Sequence, residues 1–245
     1  MNDRVYIHEF IDIIAHQRSN YMQHMTANWS PIGQEERDQS CYGVWALLGS
    51  TGAWPKTVNM WEHAGWSGLA ASFAVETVGK GAQDPALEKW WAEAAKFRSG
   101  GYDRIMIPAP WTQTIEELCA DGVRGEVYAH EIVSVANGAA GDYLEVIAGS
   151  GVDAYAEFGI SLVGAFATAM RSEGEVILIW AIPSWADWAD FEQASMRRDG
   201  LSAWKEAIRP FGGYTYRTLM VDAPLAPLRT GRQPQVEDRR PLAEL

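Results

Sequence analysis

Val5-Tyr6-Ile7-His8-Glu9-Phe10 recurs as Val127-Tyr128-Ala129-His130-Glu131-Ile132, at an offset of 122 that also sets Tyr21 against Tyr143. Self-similarity at this spacing marks a duplicated structural unit. The correspondence keeps its order along the chain. Tyr42-Gly43-Val44 aligns with Phe158-Gly159-Ile160 at an offset of 116, Trp61 and Trp66 with Trp180 and Trp185 at 119, and Leu87 and Trp90 with Leu201 and Trp204 at 114. Ala109-Pro110 against Ala223-Pro224 closes the series. Offsets that change between elements while the order persists place the length changes in loops.

Each copy reads as the same succession of elements. The first has strand-like residues 5–13, a helix over 17–26, strands over 42–49 and 57–63, and a last strand over 102–107. Its main second helix begins at Asp84-Pro85, where a carboxylate can cap free N–H groups and proline has no N–H to leave unpaired; a helical stretch over 68–76 precedes it. The second has strands over 127–135, 158–167, 175–182 and 216–221, with helices over 140–147, 184–196 and 201–208; Ser184 with Asp187 is a capping signal. The order βαββαβ is that of the ferredoxin-like unit, whose sheet carries helices on one face only. Two such units in one chain can cover each other's bare face and close a barrel, so the expected class is α+β, with repeats over 3–112 and 125–224 and a Pro- and Arg-rich arm over 225–245. The lumen of that barrel is the expected ligand cavity.

The 245 residues suffice for a sizeable core, and 47% hydrophobic with 21% charged residues is ordinary for a folded chain. A net charge of −12 without a basic cluster disfavours nucleic acid. The apolar stretch after Met-Asn-Asp-Arg is interrupted by Glu9, Asp12 and His16, which predicts neither signal peptide nor membrane span and makes a cytoplasmic location the default. Cys41 and Cys119 lack metal-ligand spacing and are expected to be reduced and half-buried. Edge strands and the arm leave room for a homo-oligomer.

Within the repeat, Tyr6 and His8 share one strand face and Glu9 the other, as do Tyr128, His130 and Glu131 in the second copy. If the first set lines the lumen, two imidazoles and two phenols surround one space and suit proton transfer. Both types also serve as hydrogen-bonded core fillers. Glu9 and Glu131, set among valines and isoleucines, should be paired or have a raised pKa, the second of which suits a general base. His8, His130, Glu9 and Glu131 are therefore the candidate catalytic residues. Tyr6, Tyr128, Trp45, Trp61, His63 and Trp180 are the candidate ligand-binding ones, with Trp45 joining Trp61 and His63 in an aromatic wall; plain core packing is their other reading. HExxH, GxGxxG, P-loop and GxSxG motifs are missing, which disfavours zinc proteolysis, nucleotide cofactors and serine hydrolysis; no metal is predicted.

The tyrosine-bearing first strands, Met60-Trp61-Glu62, Ile179-Trp180-Ala181 and the Asp84-Pro85-x-x-x-x-Trp90 helix start resemble the NIPSNAP group of the dimeric α+β barrel superfamily over residues 3 to 224. The resemblance implies the barrel fold, and a superfamily that includes cofactor-independent monooxygenases, isomerases, cyclases and haem proteins. This sequence departs from the group's first strands, which often carry an arginine where Glu9 and Glu131 stand. The leading expectation is a small-molecule enzyme, of monooxygenase, isomerase, cyclase or dehydratase type, that acts on an apolar or aromatic metabolite by acid–base chemistry without a nucleotide. A non-catalytic binding or interaction protein is the alternative. A haem protein is the second alternative, since one histidine suffices as axial ligand and leaves no motif.

Overall fold

A computed structural model describes residues 1–78, 84–171, 174–197 and 199–241, so the last four positions of the arm lie outside the described residues. The first copy contributes β1 (Val5–Ile13), β2 (Gln39–Leu47), β3 (Lys56–His63) and β4 (Arg98–Pro108). The second contributes β5 (Val127–Ser134), β6 (Ser161–Ala169), β7 (Glu175–Ile182) and β8 (Tyr214–Asp222). They form one closed antiparallel barrel in the order β1-β3-β2-β8-β5-β7-β6-β4. Within it each copy keeps the ferredoxin-like order, β4-β1-β3-β2 and β8-β5-β7-β6. Two short seams join the halves: Trp45–Leu47 pairs with Met220–Asp222, and Ile105–Pro108 with Phe166–Ala169.

Helices cover the outside. In the first copy these are α1 (residues 18–37), α2 (Gly65–Glu76) and α3 (Pro85–Ala94). A short α4 (Ile115–Ala120) leads into the second copy, with α5 (residues 140–156), α6 (Trp185–Met196) and α7 (Ser202–Ile208). Both caps expected from sequence form: Leu87 N–H donates to Asp84 Oδ1 at 3.1 Å, and Asp187 N–H to Ser184 Oγ at 3.2 Å. α1 and α5 each widen into a π-helical stretch, at His24–Trp29 and Ile147–Gly151, a shared irregularity that supports common descent. Among the described residues no helix is long and apolar enough to cross a membrane.

The registers correct one alignment. Cys41 opposes Trp61 and Gly43 opposes Met60, as Leu162 opposes Trp180 and Gly164 opposes Ile179, with a bulge at the same place in each strand. Gly43 therefore corresponds to Gly164, at an offset of 121 instead of 116, and the strand expected from Phe158 begins at Ser161. Gly159 is a turn residue with φ +70°, and Phe158 packs on Phe191. The shared glycines have a steric cause. A Cβ on Gly43 would lie 1.9 Å from the Trp45 ring, and one on Gly164 2.4 Å from the Phe166 ring, so in both strands the aromatic two residues on lies across the glycine.

The barrel interior differs from the expected lumen. Tyr6, Phe10, Tyr42, Trp45, Met60, Met106, Tyr128, Phe166, Ile177, Ile179 and Met220 meet there in one buried cluster. An eight-stranded barrel is just wide enough for side chains to fill, and large aromatics from both sheets fill this one. The arm folds back on the first copy, starting with α8 (Pro227–Thr230). The Gln233 amide then bonds both the N–H and the C=O of Cys41 at 2.8 Å, satisfying backbone groups of β2 beyond its seam with β8.

Candidate active site

His8 and His130 point into the barrel, and their Nε2 atoms stand 2.8 Å apart. One nitrogen carries the hydrogen and the other accepts it, so the pair can be neutral together but not doubly protonated. Burial depresses both imidazoles. His8 is held well below its usual range, with His130 and Arg104 adding to the effect; His130 falls to about 3, with Arg104 again contributing. Among the described residues, neither buried Nδ1 has a hydrogen-bond partner. Tyr6 and Tyr128 also face inward, where Tyr6 donates to Glu62 at 2.9 Å and Tyr128 to Asp222 at 2.6 Å. Trp45 pairs across the sheet with Val58, which puts it inside the barrel with Tyr128, on the opposite face from Trp61. The wall expected from Trp45, Trp61 and His63 therefore does not form. His63 is buried at the end of β3, where desolvation and Arg37 lower its pKa to about 4.

The open space lies outside the barrel, between the first sheet and its helices, where a cavity of about 810 Å³ is bounded by β1, β3, β4, α1, α2 and α3. Trp29 and Trp61, both buried, form its floor, and the partly exposed Phe73 and Trp91 stand at its rim. Glu9 projects into it. Its Oε2 accepts from Asn59 Nδ2 and Trp61 Nε1, both at 2.8 Å, and Oε1 has no hydrogen-bond partner among the described residues. Desolvation raises the Glu9 carboxyl to about 7, with Asp103, its cross-strand neighbour, adding repulsion. Asn59 also donates to the Tyr21 hydroxyl at 2.8 Å. Of the arginines along the wall, Arg37 is tied to Glu76 at 2.7 Å, and Arg98 lies over Trp91 and has no carboxylate within 4.0 Å among the described residues; the Arg104 guanidinium turns to the barrel side, over Phe10, and pairs with Glu175 at 2.7 Å.

Glu131 occupies the matching position in a closed site. Trp180 Nε1 donates to its Oε2 at 3.2 Å, the counterpart of the Trp61 bond, while Tyr155 OH and Arg217 Nε donate to its Oε1 at 2.9 and 2.6 Å. Tyr155 stacks on Trp180 with ring centroids 3.9 Å apart and touches Phe191. The structural offsets identify the differences. Arg217 opposes Glu131 as Asp103 opposes Glu9, and Gly33 and Ser72 stand where the second copy has Tyr155 and Phe191. Trp29, at the place of Gly151, returns some of the aromatic bulk, but an indole brings no hydroxyl to Glu9.

Sequence reasoning paired the two glutamates and missed Asn59, Asp103 and Arg98. The charge reversal between Asp103 and Arg217 at an offset of 114 was the available signal, since it sits across the strand pair from the repeated glutamate. A haem does not fit this cavity, because no histidine, cysteine, methionine or tyrosine side chain lines it among the described residues, and His8 and His130 are bonded to each other in the packed interior.

No family model matches the chain, and no curated protein matches it. Its fold is that of several solved structures. One described as a candidate monooxygenase from Lactobacillus acidophilus NCFM superposes with a TM-score of 0.61 at 9% identity, covering 96% of this chain and 97% of that one. An anthrone oxidase-like protein gives 0.54 at 10% identity, covering 90% and 92%. A NIPSNAP family protein of unknown function from Agrobacterium tumefaciens str. C58 is 25% identical, with a TM-score of 0.37, over 43% of this chain and 95% of that one. The chain thus has the fold of the dimeric α+β barrel proteins, with both ferredoxin-like units in a single polypeptide, and a NIPSNAP protein stands among the structures it resembles.

Proposed function

We propose that the protein is an enzyme that removes a proton from an aromatic or apolar small molecule in the first-repeat cavity, with Glu9 as the base and no nucleotide cofactor. The observation that carries this reading is the state of Glu9: a half-buried carboxyl with a pKa near 7, one oxygen fixed by Asn59 and Trp61 and the other open to the cavity. A base poised near neutral pH balances availability against proton affinity. Aromatic rim and floor suit a flat substrate, whose acidic proton would pass to Oε1; its return at another atom completes an isomerisation, and departure of a leaving group a dehydration. Of two proteins of similar fold, one is described as a candidate monooxygenase and the other as anthrone oxidase-like; in chemistry of that kind dioxygen would be the co-reactant of the same substrate anion. Glu131, already bonded to Arg217 and Tyr155, has no free oxygen to offer, so one site per chain is expected.

Enolisable aryl ketones and phenols incubated with the protein in D₂O, followed by NMR, test the reading. Exchange at the acidic carbon should fall about 10²- to 10⁴-fold in Glu9→Gln, and exchange unchanged in that variant would remove Glu9 from the chemistry. The filled barrel interior favours a second reading, a non-catalytic binding protein. In that case the panel would bind without exchange or turnover.

A further inference from the structure

The second copy contains a built-in comparison for the empty one. Around Glu131, Oε2 takes the indole of Trp180, and Oε1 takes a phenol, Tyr155, together with a guanidinium, Arg217. The guanidinium also donates to that phenol oxygen at 2.8 Å. Around Glu9, Oε2 takes the indole of Trp61 in the same way, and both partners of Oε1 are gone. Their positive charge has a substitute, because Arg98 lies near enough to act on Glu9, Asp103 and Tyr21 together. The phenol has none, since Gly33 stands at its position and Trp29 brings bulk without a hydroxyl.

We infer that the ligand of the first-repeat cavity is a phenol, an aromatic ring seated against Trp29, Trp61 and Trp91 whose hydroxyl donates to Glu9 Oε1 as Tyr155 does to Glu131. The inference rests on the proposed base and names its substrate class. The cavity volume of about 810 Å³ admits a fused-ring phenol. Deprotonation then needs no rearrangement, since the hydroxyl hydrogen already lies on the line to the carboxylate and passes to Oε1, leaving a phenolate within the influence of Arg98.

The test uses the full chain with 2-naphthol, naphthalene and 2-methoxynaphthalene, a set that separates the hydroxyl donor from ring burial and from methyl bulk, and reads affinity by calorimetry. The alcohol should bind about tenfold or more tightly, the usual worth of a hydrogen bond to a charged group. Asp103→Arg installs the counterpart of Arg217 at an exposed strand position and should keep or strengthen the preference, since in the second copy the guanidinium and the phenol share the same carboxylate oxygen. Glu9→Leu should abolish it while the circular dichroism spectrum holds. Equal affinities in the wild-type chain, or a preference that survives Glu9→Leu, would overturn the inference. The two readings can fail separately. Glu9-dependent exchange of a ketone without naphthol preference keeps the base and sinks the phenol, whereas Glu9-dependent naphthol binding without exchange or turnover keeps the phenol and sinks the enzyme.

Discussion

Glu9 and Glu131 hold matching places in the two copies, each bonded to an indole on the neighbouring strand, yet their surroundings have diverged in opposite directions. Around Glu131 the second copy keeps Tyr155, Phe191 and Arg217, and the carboxylate is fully bonded and buried. Around Glu9 the first copy has Gly33, Ser72 and Asp103, and the carboxylate faces a cavity with one oxygen free. Filling and neutralising a site stabilises it; opening the site and setting a like charge beside it costs stability and raises basicity. One half of the molecule holds its carboxylate in a closed, fully bonded site, and the other leaves its carboxylate facing a cavity.

The largest effect that could break this contrast is expected at Tyr155. Tyr155→Ala removes a ring stacked on Trp180 and two hydrogen bonds to a buried charge network, and should lower stability in urea by about 3–5 kcal/mol. Saturating 4-methylphenol should recover part of that loss by refilling the space, whereas toluene should recover less. A loss under about 1 kcal/mol would show that the second copy does not depend on its filled site.

The histidine pair that meets across the barrel interior gives the next effect. His8 is flanked across its strands by Met60 and Arg104, and His130 by Ile179 and Thr218; Arg104, paired with Glu175, is the charged group facing the pair. Both imidazoles have folded pKa values below the unfolded one, so the folded chain binds fewer protons and their contribution is lost as pH falls below about 6.5. By pH 4 the loss from His130 alone is about 3 kcal/mol. Glu9, Asp222, Glu62 and Asp103 act in the opposite sense, since their raised pKa values favour the folded state as pH falls toward 4.5. Comparing the chain with His8→Leu/His130→Leu isolates the histidine part: the double variant should lose less stability between pH 6.5 and 4. Parallel pH profiles would rule the pair out as an acid-sensitive element.

The smallest effect concerns Glu9. Its folded pKa of about 7 exceeds the unfolded value, so its favourable contribution is full at low pH and disappears as pH rises through 7. Glu9→Gln should match the parent at pH 5 and exceed it by about 1–2 kcal/mol at pH 8.5, reduced from the full linkage value because the group opens to the cavity. A variant less stable than the parent at pH 8.5 would mean that Glu9 is a structural ion pair like Glu131.

Much of the fold was legible because it depends on local patterns. Alternation identified the strands, Asp84 and Ser184 identified helix starts, and the repeated Tyr-x-His-Glu revealed the duplication. Phe158-Gly159-Ile160 misled because a matching Gly motif in a turn looks like one in a strand; Gly164 earns its place through the ring of Phe166, a contact that spacing alone does not reveal. The candidate site was only half legible. The two glutamates stood out as charges in apolar strands, but Asp103 and Arg98 lie some ninety residues further along and become relevant only when β4 pairs with β1.

By itself the sequence determined the repeat, the α+β class and the pairing of Glu9 with Glu131, because each depends on residue type and spacing along one strand. Only tertiary structure decided that the lumen is packed, that His8 and His130 spend themselves on each other, and that open space lies beneath the helices of one copy. Those outcomes depend on side-chain volume and charge summed across strands and helices distant in sequence, where Gly33 against Tyr155 and Asp103 against Arg217 make one site open and the other closed.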